Sequence, residues 1–95
     1  MYIVLLKFSA NQGLAGQYMA AHKAWLQQGF DEGVFLLAGS LLPGLGGAIL
    51  AHCEEGTSLR DRVNADPFVV AGVVSAEIME VAPSKAVQSL SFLVA

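Results

Sequence analysis

Residues 33–53, GVFLLAGSLLPGLGGAILAHC, carry no Lys, Arg, Asp or Glu over a span long enough to cross a bilayer. How this stretch folds constrains the rest of the chain. Gly39, Pro43, Gly44, Gly46 and Gly47 interrupt its middle. Glycine weakens a helix by about 1 kcal/mol relative to alanine, proline by about 3 kcal/mol, and PGLGG is a strong turn signal. The stretch therefore reads as two strands, Val34–Leu42 and Ala48–His52, joined by a hairpin, and no membrane span is expected. The other apolar run, Tyr2–Leu6, lacks a basic segment before it and meets Lys7 too early for a secretory signal.

The first strand supplies a second constraint. Tyr2–Phe8 places Tyr2, Val4, Leu6 and Phe8 on one face and Ile3 and Leu5 on the other, so both faces need cover. Ser9–Gly13 reads as a loop. A helix runs from Leu14 to about Glu32, where Gly33 is placed to stop it. A short helix starts at Thr57 or Ser58, with Asp61 closing the capping box SLRD, and ends before Pro67. Val73–Val81 is the last strand, and Ser84–Leu93 is a helix or tail.

The order β-α-β-β-α-β is the ferredoxin-like α+β pattern, an antiparallel sheet with its helices on one face. One domain is expected over residues 1–95, with a core at 2–82 and a tail at 83–95. The chain is 55% hydrophobic and 14% charged, against about 25% charged in an ordinary soluble domain. A chain of 95 residues cannot bury that much apolar surface alone. A second copy packed on the open sheet face is the simplest cover, and two facing sheets make a dimeric α/β barrel. A tail folded over the sheet does part of the same work. The five Lys and Arg are dispersed and the net charge is −3, so no nucleic-acid face is expected. The single cysteine, Cys53, excludes an internal disulfide and fits a reducing, cytoplasmic setting.

Two polar residues stand out. At about 100° per residue, His22 lies at the centre of a helical stripe. Leu14, Ala15, Tyr18, Met19, Trp25, Leu26, Gly29 and Phe30 all fall within roughly 80° of it. An imidazole placed there must satisfy two ring nitrogens. A core histidine bonded to a backbone carbonyl fits this pattern, and so does a general acid/base in an apolar pocket. Asp66, before Pro67, is placed to cap one helical turn that stops at Gly72. Its carboxylate could equally orient an imidazole. Ser40 either lines a pocket or marks a β-bulge, and Glu77 is either an edge residue or a polar group facing a cavity. His52 and Cys53 point to opposite faces of a strand, so no metal site is expected there. No dinucleotide fingerprint follows a strand.

The pieces AAHKAWLQQGFDEG, VFLLAGS, PGLGGAILA and ADPFVVAGV occur in that order between residues 20 and 73. Together they resemble the YCII-related (YciI-like) family, with the likeness running from Tyr2 to about Leu93. The resemblance implies a ferredoxin-like fold that pairs as a dimeric α/β barrel. It also implies that His22 and Asp66 meet as an active-site pair. Two positions depart from the family pattern. Gly39-Ser40 stands where many relatives have Gly-Pro, and Gly44 stands where a basic residue often follows the proline. The resemblance further implies a cofactor-free enzyme acting on a small cyclic or aromatic metabolite. On that expectation His22 moves a proton, Asp66 orients the ring, and Ser40, Trp25 and Phe68 shape a substrate pocket. The other reading is a non-catalytic dimeric binding or accessory protein.

Overall fold

The computed structural model of the chain describes residues 1–53 and 56–94. Its elements are β1 (Tyr2–Phe8), α1 (Ala15–Asp31), β2 (Phe35–Leu41), β3 (Gly46–Ala51), α2 (Gly56–Asn64), α3 (Pro67–Val70) and β4 (Val74–Glu80). Short 3₁₀ turns precede α1 at Gln12–Leu14 and follow β4 at Gln88–Leu93. The strands form one antiparallel sheet in the order β2-β3-β1-β4. With both crossover helices on one face, this is the α+β, ferredoxin-like arrangement.

Side-chain alternation along β1 explains the layering. Tyr2, Val4 and Leu6 are buried toward the helices beside Ile49 and Ala51 of β3. Trp25 of α1, Leu59 and Val63 of α2 and Phe68 of α3 complete that core. Fully burying an aliphatic side chain of this size contributes about 1.5–3 kcal/mol, so this layer holds the helices on the sheet. Ile3 and Leu5 face the opposite, outer side. There they are joined by Leu50 of β3, Met79 of β4 and Leu37 of β2. The C-terminal segment covers one end of that side. A cavity of about 390 Å³ lies between Met1 and Leu50 and the segment carrying Leu90 and Leu93.

Several boundaries shift from the sequence reading. β3 begins at Gly46 rather than Ala48, so two of the hairpin glycines are strand residues. The turn is correspondingly short and carries a cis Leu42–Pro43 bond. α2 begins at Gly56, which places Ser58 inside the helix instead of at its cap, so SLRD makes no capping box. The side chain of Thr57, the alternative start, lies outside the described residues, as does Ala95. The β-bulge falls between Phe35 and Leu37, not at Ser40. Glu77 sits on the outer side of the edge strand β4, exposed and 3.9 Å from Lys7. Leu14 and Met19, at the N-terminal end of the predicted stripe, are exposed, Met19 beside a hollow between α1 and the sheet. No helix among the described residues is long and apolar enough to cross a membrane.

Candidate functional site

His22 is carried by the third turn of α1, on the side facing the sheet. Its Nδ1 lies 2.8 Å from Oδ1 of Asp66, a residue 44 positions later. The histidine side chain is 15% exposed and the aspartate side chain 0%. Local chain chemistry fixes the aspartate. Asp66 precedes Pro67, which keeps it out of the helical region, and its φ and ψ are −57° and 124°. In that conformation Oδ1 accepts a 3.0 Å bond from the Phe68 backbone N–H at the start of α3. Oδ1 thus serves two donors, while Oδ2 is buried with no hydrogen-bond partner among the described residues.

This arrangement selects a tautomer. A carboxylate only accepts, so Nδ1 carries the hydrogen and donates it to Asp66. In the neutral ring the lone pair then lies on Nε2, on the far side. The ring is clamped flat on Phe68, with centroids 4.0 Å apart and planes 4° apart. Trp25 stacks more loosely at 5.7 Å. The imidazole therefore has little rotational freedom, and the nitrogen left uncommitted is the one that can act on a ligand.

Two adjoining hollows open where His22 meets the sheet, of about 220 and 190 Å³. Both are walled by His22, Leu6, Gly39, Ser40 and Gly47. Phe68, Met19 and Phe8 close the first, and Leu26 and Ile49 the second. Among the described residues that line them, His22 and Ser40 are the only ones with polar side chains.

Of the residues singled out in the sequence, His22, Asp66, Phe68 and Ser40 come together here. Trp25 does not reach the wall. It stands one layer behind His22, and its Nε1 donates to the Arg62 carbonyl at 3.0 Å. It faces a different cavity of about 410 Å³, lined also by Cys53, Leu59, Glu32 and Arg62. In that wall the Arg62 guanidinium lies 2.9 Å from Glu32 and holds its carboxyl below the usual carboxylate range. His52 instead meets Phe92 under the C-terminal segment, so it and Cys53 do face opposite ways. No group of three His, Cys, Asp or Glu clusters among the described residues. The sequence reading missed Gly47 as a wall residue because PGLGG reads as turn, and it missed Gly39 although that residue falls inside the strand Val34–Leu42. A glycine inside a strand, where a ligand or backbone comes close, is the signal that marks them.

Comparison with known proteins places the architecture. No curated protein matches the chain by sequence. A solved structure of 5-chloro-2-hydroxyhydroquinone dehydrochlorinase (TftG) from Burkholderia phenoliruptrix AC1100, in complex with 2,5-dihydroxybenzoquinone, is similar in fold. The TM-score is 0.71 at 17% identity, covering 88% of this chain and 96% of that one. The sequence profile of the YCII-related domain matches residues 1–83, nearly the whole chain. The chain belongs to the YCII-related domain family.

Proposed function

We propose that the protein is a small enzyme of proton-transfer type, an isomerase or an eliminating lyase, acting on a cyclic or aromatic metabolite. The observation that carries this is the His22–Asp66 contact at 2.8 Å beside a hollow that His22 itself lines. Nε2 of His22 takes a proton from an O–H or C–H of the substrate. The electron pair left behind forms a new C=O or C=C bond. It either expels a leaving group or is re-protonated at another position by the imidazolium. Asp66 holds the ring in the productive tautomer and stabilises the charged imidazolium that forms. Ser40 offers a hydroxyl to a substrate oxygen. Neither reaction type requires a redox partner. The dehydrochlorinase that shares the fold supports the choice, since removing a proton and a chloride from a ring is an elimination.

A second copy of the chain covers the open outer sheet face, where Leu37 is 56% exposed and Met79 40%. The single cysteine accords with a cytoplasmic setting.

The test is turnover of chlorinated hydroquinones and cyclic ketones by the wild type and by His22→Gln. General acid/base catalysis typically supplies about 10²–10⁴ in rate, and that loss is expected in the variant. A wild type inert toward the whole panel, or a variant equally active, overturns the reading and leaves a non-catalytic binding role.

A further inference from the structure

Two adjacent glycines open β3, and they are glycine for different reasons. Gly46 has φ +135°, and a Cβ there would drive into the Leu6 carbonyl. The fold itself demands that glycine. Gly47 has an ordinary strand conformation, and its added Cβ would meet only the Gly39 carbonyl oxygen, at 3.5 Å. That is normal van der Waals contact. Nothing in the packing forbids a side chain at 47, and glycine inside a strand is unfavourable relative to residues that carry one.

The direction of the missing side chain supplies the reason. Gly47 pairs with Leu6 on β1 and Ser40 on β2, and Ile49 and Ala51, two and four residues on, are buried toward the helices. A Cβ at 47 therefore points to the helix side of the sheet, into the hollows that Gly47 and His22 both line. Gly47 is the bare floor of the site. The described walls, moreover, carry no Lys, Arg, Asp or Glu to meet a charged substituent. An apolar cavity of about 150 Å³ suffices for benzene, so each of the two adjoining hollows, of about 220 and 190 Å³, takes one ring.

We infer that the site takes an uncharged, flat, single-ring substrate laid against the exposed backbone of Gly47, with residue 47 setting the size of ring admitted. In this pose an oxygen substituent faces Nε2 of His22 and another is within the range of Ser40. The inference rests on the reading of this hollow as a substrate site and deepens it by naming the substrate class.

Titration calorimetry with three probes tests it: chlorohydroquinone, 2,5-dihydroxybenzoate and 1,5-dihydroxynaphthalene. The wild type is expected to prefer the uncharged monocycle over the carboxylated and the bicyclic ring by about tenfold or more. Gly47→Ala is expected to weaken chlorohydroquinone binding about tenfold and Gly47→Val about a hundredfold, as overpacking of a filled cavity does. Both variants should keep their circular-dichroism spectrum, and Gly47→Ala should melt no lower than the wild type. If the wild type binds chlorohydroquinone but either folded variant binds it equally well, this inference fails while the functional reading stands. Equal binding of the carboxylated or bicyclic probe has the same consequence. If the wild type binds none of the three, the functional reading itself falls, and this inference with it.

Discussion

At the scale of single residues, the site depends on one oxygen. Oδ1 of Asp66 accepts both from the Phe68 backbone and from His22, so helix capping and imidazole orientation are one interaction system. The capping and orienting readings of Asp66 therefore do not compete. Two substitutions separate the consequences. Asp66→Asn keeps Oδ1 as the acceptor for both donors but removes the negative charge. It should fold, with turnover lowered by about 10²–10⁴ because the imidazolium that forms during the reaction loses its counter-charge. Asp66→Ala should in addition lose about 1–3 kcal/mol of stability, through the lost cap and the unpaired Phe68 amide. Steady-state kinetics beside thermal melts of the two variants check the distinction.

At the scale of elements, α1 is held between the sheet and α2 by unlike contacts. Gly29 lets the helix approach β2 so closely that a Cβ would enter the Phe35 ring. Gly29→Ala should cost about 1–3 kcal/mol by overpacking, read as a lowered denaturation midpoint. At the C-terminal end of the helix, Glu32 meets Arg62 of α2. Hydrogen bonding to Arg62 lowers the Glu32 carboxyl below its ordinary value. A carboxyl depressed in the folded state stabilises the fold above its unfolded value, and the contribution disappears as pH falls through the folded one. The stability difference between wild type and Glu32→Gln should thus be present at neutral pH and vanish in acid. The pair is exposed and screened by salt, so the difference should be small and shrink further at high ionic strength. Chemical denaturation across a pH series measures it. The boundaries of the strands and of α1 were legible within one residue from periodicity. The exception is the start of β3, two residues earlier than read, because a glycine pair reads as turn whether it ends a loop or opens a strand.

For the whole molecule, the outer side of the sheet is the apolar surface that bears on assembly. Its exposed apolar residues, Leu37 and Met79 among them, lie on β2 and β4, the two edge strands that flank the central pair. The C-terminal segment covers only the end near Leu50. If a second copy packs there, Leu37→Glu together with Met79→Glu should halve the sedimenting mass without unfolding the chain. An unchanged wild-type monomer in sedimentation would overturn the pairing. The exposed Lys7–Glu77 contact lies on this same side, at the opposite end from the tail.

The division between sequence and tertiary structure follows from the range of the forces involved. Periodicity, the breaks at PGLGG and the Asp66-Pro67 cap are local, and they determined the element order, the α+β class and the stripe on which His22 lies. The 44-residue contact between His22 and Asp66 is not local. It exists because α1 and α3 pack on one face of the sheet, and only the folded chain brings imidazole and carboxylate together. The same holds for the floor of the site. Gly46 and Gly47 are identical letters in the sequence, and only the register of β3 against Leu6 makes one a backbone necessity and the other an opening. Trp25 marks the converse case. The helical wheel placed it beside His22, but the depth of the core, which no wheel contains, set it behind the histidine rather than in the wall of the hollow.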